Sequence, residues 1–521
     1  MNARLLPSEA KATDSDSIAP SSSYPVKGRR RTTRGFRKGL GRRLFYEAAL
    51  AKSGRTWLTG FVLASCVLFG GATRSGSLGD IVLQYLSIPL LLVAARAIVV
   101  AGSARRLLWP LIFVGVVLLV PTAQLLPLPH NVWMRLPGRK LIVETYVLMN
   151  QPIPMLPLTM TPEATWLSGL SLLPPIAVFT SVLTLDSYAR RTISRIVIGL
   201  AVAATFLGLL QLAHGPNSVL RFYAITNRTE AVGFFANRNH FAALMYVAML
   251  FVCADFIDAA LAAGRMTHRG RIDINAVVAV VTWATAFVIL LAGEMMARSR
   301  AGLALSTLAL IGGLCFCIGD RRLKVQRRGS SRLILMMTGA ALLSFTPLTL
   351  YRISERLGSD PSVDARIPFA RNTFAAAMTY MPFGSGLGSF VPVYQIFEKW
   401  SDIGLTYANH AHNDFLEVWL ETGIFGIALI VIFVIWLVRR TVRLWLEKKP
   451  RSGHADLFLQ RAAAVTLILL LAHSLFDYPL RTTAMMSVAA MAAGLLFDAP
   501  DRENRRPSTH PTAVRIIVRQ S

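Results

Sequence analysis

The densest group of reactive side chains lies at residues 408–423, ANHAHNDFLEVWLETG, which holds His410, His412, Asn409, Asn413, Asp414, Glu417 and Glu421. A histidine near neutral pH can take a proton from a hydroxyl, which makes His412 a candidate for activating an acceptor. The plainer alternative is a histidine that caps or packs at a helix start. His410 would share a face with His412 on a strand and not on a helix, and it is read as a bystander. The chain has no Asp-His-Ser order and no His-Glu-x-x-His spacing, which argues against a serine hydrolase and a zinc site.

Arginines supply a second kind of chemistry. Arg298 and Arg300 stand in GEMMARSRAGLAL, and Arg366 and Arg371 in SVDARIPFARNTF. Planar guanidinium groups grip phosphate and pyrophosphate bidentately. Each could instead form a salt bridge, for example Arg300 to Glu294 or Arg366 to Asp364. Asn237 and Asn239, in GFFANRNHFAALM, can cap a helix or bond sugar hydroxyls. FGSGLGSF (383–390) has alternating glycines but lacks the strand and closing acid of a dinucleotide loop, so it reads as a turn that brings backbone close to a neighbour.

Such residues need a scaffold. The chain has 521 residues, 54% of them apolar and 16% charged, with mean hydropathy +0.49. This profile predicts an all-α polytopic membrane protein of about twelve spans of about 20 residues each. They centre on 56–73, 80–99, 107–124, 165–184, 193–213, 240–262, 275–293, 301–318, 332–350, 420–438, 462–476 and 483–497. The net charge of +27 is explained by basic loops on one side of the membrane, not by nucleic acid. Those loops are 102–106, 187–191, 264–271, 319–332 and 439–451, followed by the tail with Arg502, Arg505 and Arg506. The pattern predicts cytoplasmic termini. It also leaves Asn239, Arg300, Arg366 and His412 on the outer side. Residues 1–55 read as a disordered basic cytoplasmic tail that meets membrane lipids, 56–497 as the membrane domain and 498–521 as a second basic tail. The large outer loop, 351–414 between spans 9 and 10, is expected to be partly helical and to bear function. Cys66, Cys253, Cys315 and Cys317 all sit in apolar stretches and read as small hydrophobes.

From Asn237 onward the chain resembles the O-antigen ligase and O-antigen polymerase superfamily, with core motifs over 233–480. The match rests on His412-Asn413, then 414–422, then Gly423 and Gly426, with Glu421 before the first glycine. ANRNHFA, RSRAGLAL, DARIPF, GSGLGSF and HSLFDYPL (473–480) follow the family order. Ala301 stands where the family has glycine. The resemblance implies a glycosyltransferase of the bacterial inner membrane that needs no metal or other cofactor. Its donor would be a glycan on undecaprenyl pyrophosphate, used at the periplasmic face. Its acceptor would be lipid A-core, a growing polysaccharide or, in some relatives, protein, which links the chain to lipopolysaccharide and polysaccharide biosynthesis. By the same resemblance, Arg300 and Arg366 would hold the pyrophosphate and His412 would activate the acceptor hydroxyl. Asn239, Arg298, Arg371, Asn413 and Glu421 are the further substrate-binding candidates. The competing reading is a transporter or flippase of lipid-linked saccharide. That class binds at the bilayer midplane between internal repeats, whereas no clear repeat is found here and the charged residues gather at one face.

Overall fold

The computed structural model describes residues 53–73, 76–267, 273–316, 366–403, 407–446 and 454–500. The expected span at 332–350, loop residues 351–365, the basic run ending at Arg43, Cys317 and the tail after Pro500 lie outside the described residues.

The described chain is helical apart from turns and one small strand pair. Its first half contains α1 (Ser53–Phe69), α2 (Leu78–Val100), α3 (Leu108–Gln124), α4 (His130–Trp133), α5 (Lys140–Leu148), α6 (Pro162–Leu170), α7 (Leu173–Thr184) and α8 (Ser187–Ala213). The second half contains α9 (Arg238–Thr267), α10 (Ile274–Ala297), α11 (Arg300–Cys315), α12 (Arg366–Thr379), α13 (Phe390–Phe397), α14 (Asp414–Leu446), α15 (His454–His473) and α16 (Thr483–Leu495). Seven helices are long and apolar enough to cross a membrane, counting α6 and α7 together, and four shorter apolar helices (α1, α3, α11 and α16) accompany them. The chain is a multi-pass membrane protein. The expected span at 165–184 is broken between α6 and α7. Pro174 and Pro175 stand in the first turn of α7, where a proline lacks the N–H that would continue a preceding helix.

Helix α9 is the centre of the bundle, with 83% of its apolar window buried against 22% for α10. Its sequence is apolar on every face, as a helix surrounded by others must be. It packs against α8, α10, α11 and α15. Close approach is possible because Gly302 has no side chain: a Cβ there would lie 2.6 Å from the Ala242 Cβ and 2.4 Å from a Glu294 oxygen. Small residues of this kind bring membrane helices into contact.

A second, smaller core lies beyond the bundle. It joins Ala376, Tyr380, Phe390, Tyr394, Ala411 and Leu420. Strands β1 (Pro127–Leu128) and β2 (Leu156–Pro157) pair antiparallel, with Pro127 opposite Pro157, and close the 125–164 loop. Arg139 of that loop is buried beneath Trp133 and Tyr380, with its guanidinium 5.3 Å and 5.7 Å from the two ring centres.

Helix α14 is broken at Gly423, where φ is 58° and ψ −141°. A Cβ at this position would fall 2.0 Å from the Pro382 carbonyl oxygen, so only glycine fits. The GSGLG turn lies against this break. Ser385 donates its N–H to the Leu420 carbonyl at 2.9 Å, and Gly386 donates to that of Glu421 at 2.9 Å. The expected close backbone approach at 383–390 is thus realised, and its neighbour is the kink of α14.

Candidate functional site

Six connections meet at one end of the bundle. The end of α3 joins α14 through Gln124 Nε2, which donates to the Glu421 carbonyl at 2.9 Å. The α1–α2 connection meets the 407–413 segment, where His410 Nε2 lies 3.0 Å from the Thr73 carbonyl oxygen. The start of α9 meets the α10–α11 turn and the α15–α16 turn. All of these connections carry residues that loop charge assigned to a single side.

His412 occupies the left-handed region, with φ at 51°. The helix does not begin until Asp414, and Asn413 caps it by accepting the Leu416 N–H at 3.0 Å. The Asn413 amide donates to the Leu475 carbonyl at 3.1 Å, so this candidate is held by backbone at both ends of its side chain. The reversal at 412 turns the imidazole toward the α15–α16 turn. There Nδ1 lies 3.0 Å from Asp477 Oδ1. The imidazole is 23% exposed and the carboxylate fully buried. Phe369, three residues after Arg366 on α12, stacks on the His412 ring with centres 5.8 Å apart.

The other Asp477 oxygen receives the Asn239 amide at 2.6 Å and the Asn237 amide at 3.5 Å. Asn239 in turn accepts the Ser299 hydroxyl at 2.8 Å. Ser299 accepts the Gly302 N–H at 3.0 Å and so caps α11. A single chain of bonds therefore runs from His412 through Asp477 and Asn239 to the turn bearing Arg298 and Arg300. Arg298 has φ at 50°, and both arginines are exposed. Glu294 is buried against Gly302, so the anticipated Arg300–Glu294 bridge is not formed. Arg366 begins α12 within electrostatic reach of His473, while Asp364 lies outside the described residues. Arg371 points elsewhere: it pairs with Asp402 at 2.7 Å on an exposed face.

Burial alone would push the Asp477 carboxyl up. The hydrogen bond from His412, together with the electrostatic pull of His240, His412 and His473, outweighs burial and holds Asp477 well below the usual carboxylate range. A carboxylate only accepts, so the hydrogen between them sits on Nδ1, and in the neutral ring Nε2 is left bare.

A second network lies alongside. Arg481 Nη1 contacts Glu421 at 2.7 Å, and Arg481 Nε lies 3.6 Å from both Glu417 and Asp414. Glu417 also holds His410 Nδ1 at 2.8 Å and accepts the Ala411 N–H at 2.9 Å. Burial works to lower the His410 pKa, but the Glu417 carboxylate outweighs it and the ring is held above the ordinary histidine range. Burial likewise opposes the charge on Arg481, and the three carboxylates more than restore it. The Tyr478 ring lies between the two networks, 4.3 Å from His410 and 4.9 Å from His412, centre to centre. Among the described residues, no group of three or more His, Cys, Asp or Glu side chains could hold a metal ion.

Residues 285–431 match a family model described as O-antigen ligase. That match supports membership of the O-antigen ligase and polymerase superfamily. No curated protein matches it. Membership implies glycan transfer of the ligase or polymerase type in general terms, with lipid-linked glycans and polysaccharides as the substrate classes. The matched segment contains Arg300, Arg366, His412 and Glu421. Asn239 and Asp477 lie outside it and reach His412 only through the fold. Asp477, Ser299 and Arg481 are the polar residues that sequence reasoning did not single out. The available signal was HSLFDYPLR, a polar run between two apolar spans on the same side as His412.

Proposed function

We propose that this superfamily member transfers a glycan from undecaprenyl pyrophosphate to an acceptor hydroxyl at the periplasmic face of the bacterial inner membrane, with both termini cytoplasmic. The observation that supports this reading is the His412–Asp477 pair, 3.0 Å apart, joined through Asn239 and Ser299 to the turn bearing Arg300. The acceptor hydroxyl gives its proton to His412 Nε2, and its oxygen bonds to the anomeric carbon of the donor sugar. The bond from that carbon to the pyrophosphate oxygen breaks, and its electron pair leaves with the pyrophosphate. Asp477 orients the ring and stabilises the imidazolium that forms. Arg300 and Arg366 neutralise the charge growing on the leaving group, so the step runs without a metal. The acceptor is lipid A-core or a growing polysaccharide.

The test is reconstitution of the purified chain with radiolabelled lipid-linked glycan, first alone and then with lipid A-core. Label moving to lipid A-core indicates a ligase, and longer lipid-linked chains indicate a polymerase. Transfer is expected to be lost in Arg300→Ala and Arg366→Ala. A donor that crosses the membrane without any transfer would replace this reading with that of a flippase.

A further inference from the structure

The His412 imidazole is held from three sides, and the bond to Asp477 is only one of them. That bond joins Nδ1 to the carboxylate at 3.0 Å. A single bond fixes one ring atom and leaves the plane free to swing, because the torsion that turns an imidazole on its stem is broad and soft. Two aromatic rings close off the swing. Phe369 lies nearly parallel to the imidazole, at 17° with centres 5.8 Å apart, an offset stack. Tyr478 meets it at 75°, with centres 4.9 Å apart. His412 also has φ at 51°, a backbone region that a residue with a side chain keeps only where its surroundings over-determine it.

Each of the two rings is itself held. Phe369 meets Tyr394 edge to face at 5.7 Å, and Tyr394 stacks on Phe390 at 5.3 Å. Tyr394 is fully buried in the smaller core, so that core stands behind the ring that faces His412. Tyr478 is 4% exposed. His240 of α9 packs on it edge to face at 5.0 Å, and its hydroxyl accepts the Asn409 amide at 3.3 Å. Phe369 follows Arg366 by three residues, which places both on one side of α12. The helix that bears a candidate pyrophosphate ligand therefore also bears one wall of the imidazole.

We propose that Phe369 and Tyr478 are positioning residues: they fix the plane of the His412 ring, so that Nδ1 stays on Asp477 and Nε2 stays turned toward the acceptor hydroxyl. The role of Nε2 rests on the transfer reading above; the clamp on the ring does not. The effect is geometric. A base takes a proton across about 3 Å, and a group misplaced by about 1 Å can lower a rate roughly a hundredfold. Rings that only filled space would be replaceable by another apolar side chain of similar size. Rings that set a plane need their flat faces.

The experiment uses the full chain in nanodiscs with nitrogen-15 in its histidine rings. NMR in mildly alkaline buffer reads the tautomer of His412, whose signals are assigned by their loss in His412→Gln. The wild type is expected to show one tautomer, with the hydrogen on Nδ1. Phe369→Leu and Tyr478→Leu should each give a mixture of tautomers and lower the kcat of transfer roughly tenfold or more with KM unchanged. Tyr478→Phe, which keeps the ring, should restore the single tautomer and most of kcat. Thermal melting confirms folding, and Phe369, being half-buried, supplies the test should Tyr478→Leu fail to fold. A wild-type tautomer in the folded leucine variants would overturn the proposal. So would a change in KM alone, which would make the rings substrate contacts, or a Tyr478→Phe as impaired as Tyr478→Leu, which would assign the role to the hydroxyl. Mixed tautomers in the leucine variants of a chain that transfers no glycan would remove the transfer reading and leave the clamp. Transfer at the wild-type rate by both folded leucine variants would do the reverse.

Discussion

The two ends of the bundle use charge in different ways. At one end, arginines are bound largely to main-chain carbonyls. Arg461 donates to the carbonyls of Phe316 and Leu444, Arg440 to that of Leu496 at 2.6 Å, and Arg190 to those of Leu185 and Phe497. These include the closing carbonyls of α11, α14 and α16, which have no partner within their own helices. Arg191 and Arg195 of α8 add ion pairs to Asp255 of α9 at 2.6 and 2.9 Å. At the other end, side chains bind side chains, as in His412–Asp477–Asn239–Ser299 and Arg481–Glu421. A guanidinium on a helix terminus fastens the fold and has no bond to exchange. An imidazole held on one nitrogen keeps the other for a substrate. The same polar residue types thus serve structure at one end and offer chemistry at the other.

If that contrast holds, variants at the two ends should fail in different assays. His412→Ala is expected to lower glycan transfer roughly a thousandfold while membrane insertion and thermal melting stay near wild type. Full transfer by this variant would remove His412 from the mechanism. Asp477→Asn keeps the shape but loses the carboxylate that orients and charges the ring. Transfer should fall roughly a hundredfold, through kcat and not KM, because the group acts on the histidine and not on the substrate. A loss in KM alone would mark Asp477 as a binding residue.

The His412 end was legible in part, for a physical reason. Loop charge and residue type are local properties, so they brought Asn239, Arg300 and His412 to one side and marked the imidazole. Pairing is not local. Asp477 lies 65 residues from His412, and only the fold of α14 against α15 brings them together. Arg371 had the type expected of an anion ligand, yet Asp402, 31 residues on, takes its guanidinium. His410 shares its type with His412 but meets Glu417, seven residues later on the first turns of α14. The left-handed turn at 412 that separates the two rings was not announced by any glycine or proline. The break between α6 and α7 was announced, by Pro174 and Pro175, within an apolar run that otherwise reads as one span.

The opposite end should lose stability and keep its chemistry. Arg461 is 2% exposed, and its guanidinium lies 5.1 Å from the Trp445 ring centre. Arg461→Met retains most of the volume but leaves the Phe316 and Leu444 carbonyls without this donor. Each unpaired carbonyl costs on the order of 1–3 kcal/mol, so for the two a loss of about 2–6 kcal/mol is expected. Thermal melting in nanodiscs measures it, alongside transfer per folded molecule, which should match wild type. Reduced transfer by a fully folded Arg461→Met would show that the two ends are coupled and would break the contrast.

The smallest effect should come from pH, and it too separates the ends. The folded pKa of His410 is raised above its ordinary value, because Glu417 holds the charged ring more strongly than burial opposes it. Such a group gives its full contribution to stability below the unfolded pKa of about 6.5 and loses it as pH rises through the folded value. Wild-type Tm is therefore expected to decline by a few degrees as pH climbs from about 6 to 9. His410→Gln, which keeps a hydrogen-bonding side chain but not the charge, should decline less. Arg461→Met should melt lower yet keep the wild-type slope, because guanidinium groups and main-chain carbonyls do not titrate in this range. Equal slopes for wild type and His410→Gln would mean that the His410–Glu417 pair is not an ion pair in the folded protein. The stabilising role at that end would then rest on Arg481 and its carboxylates alone.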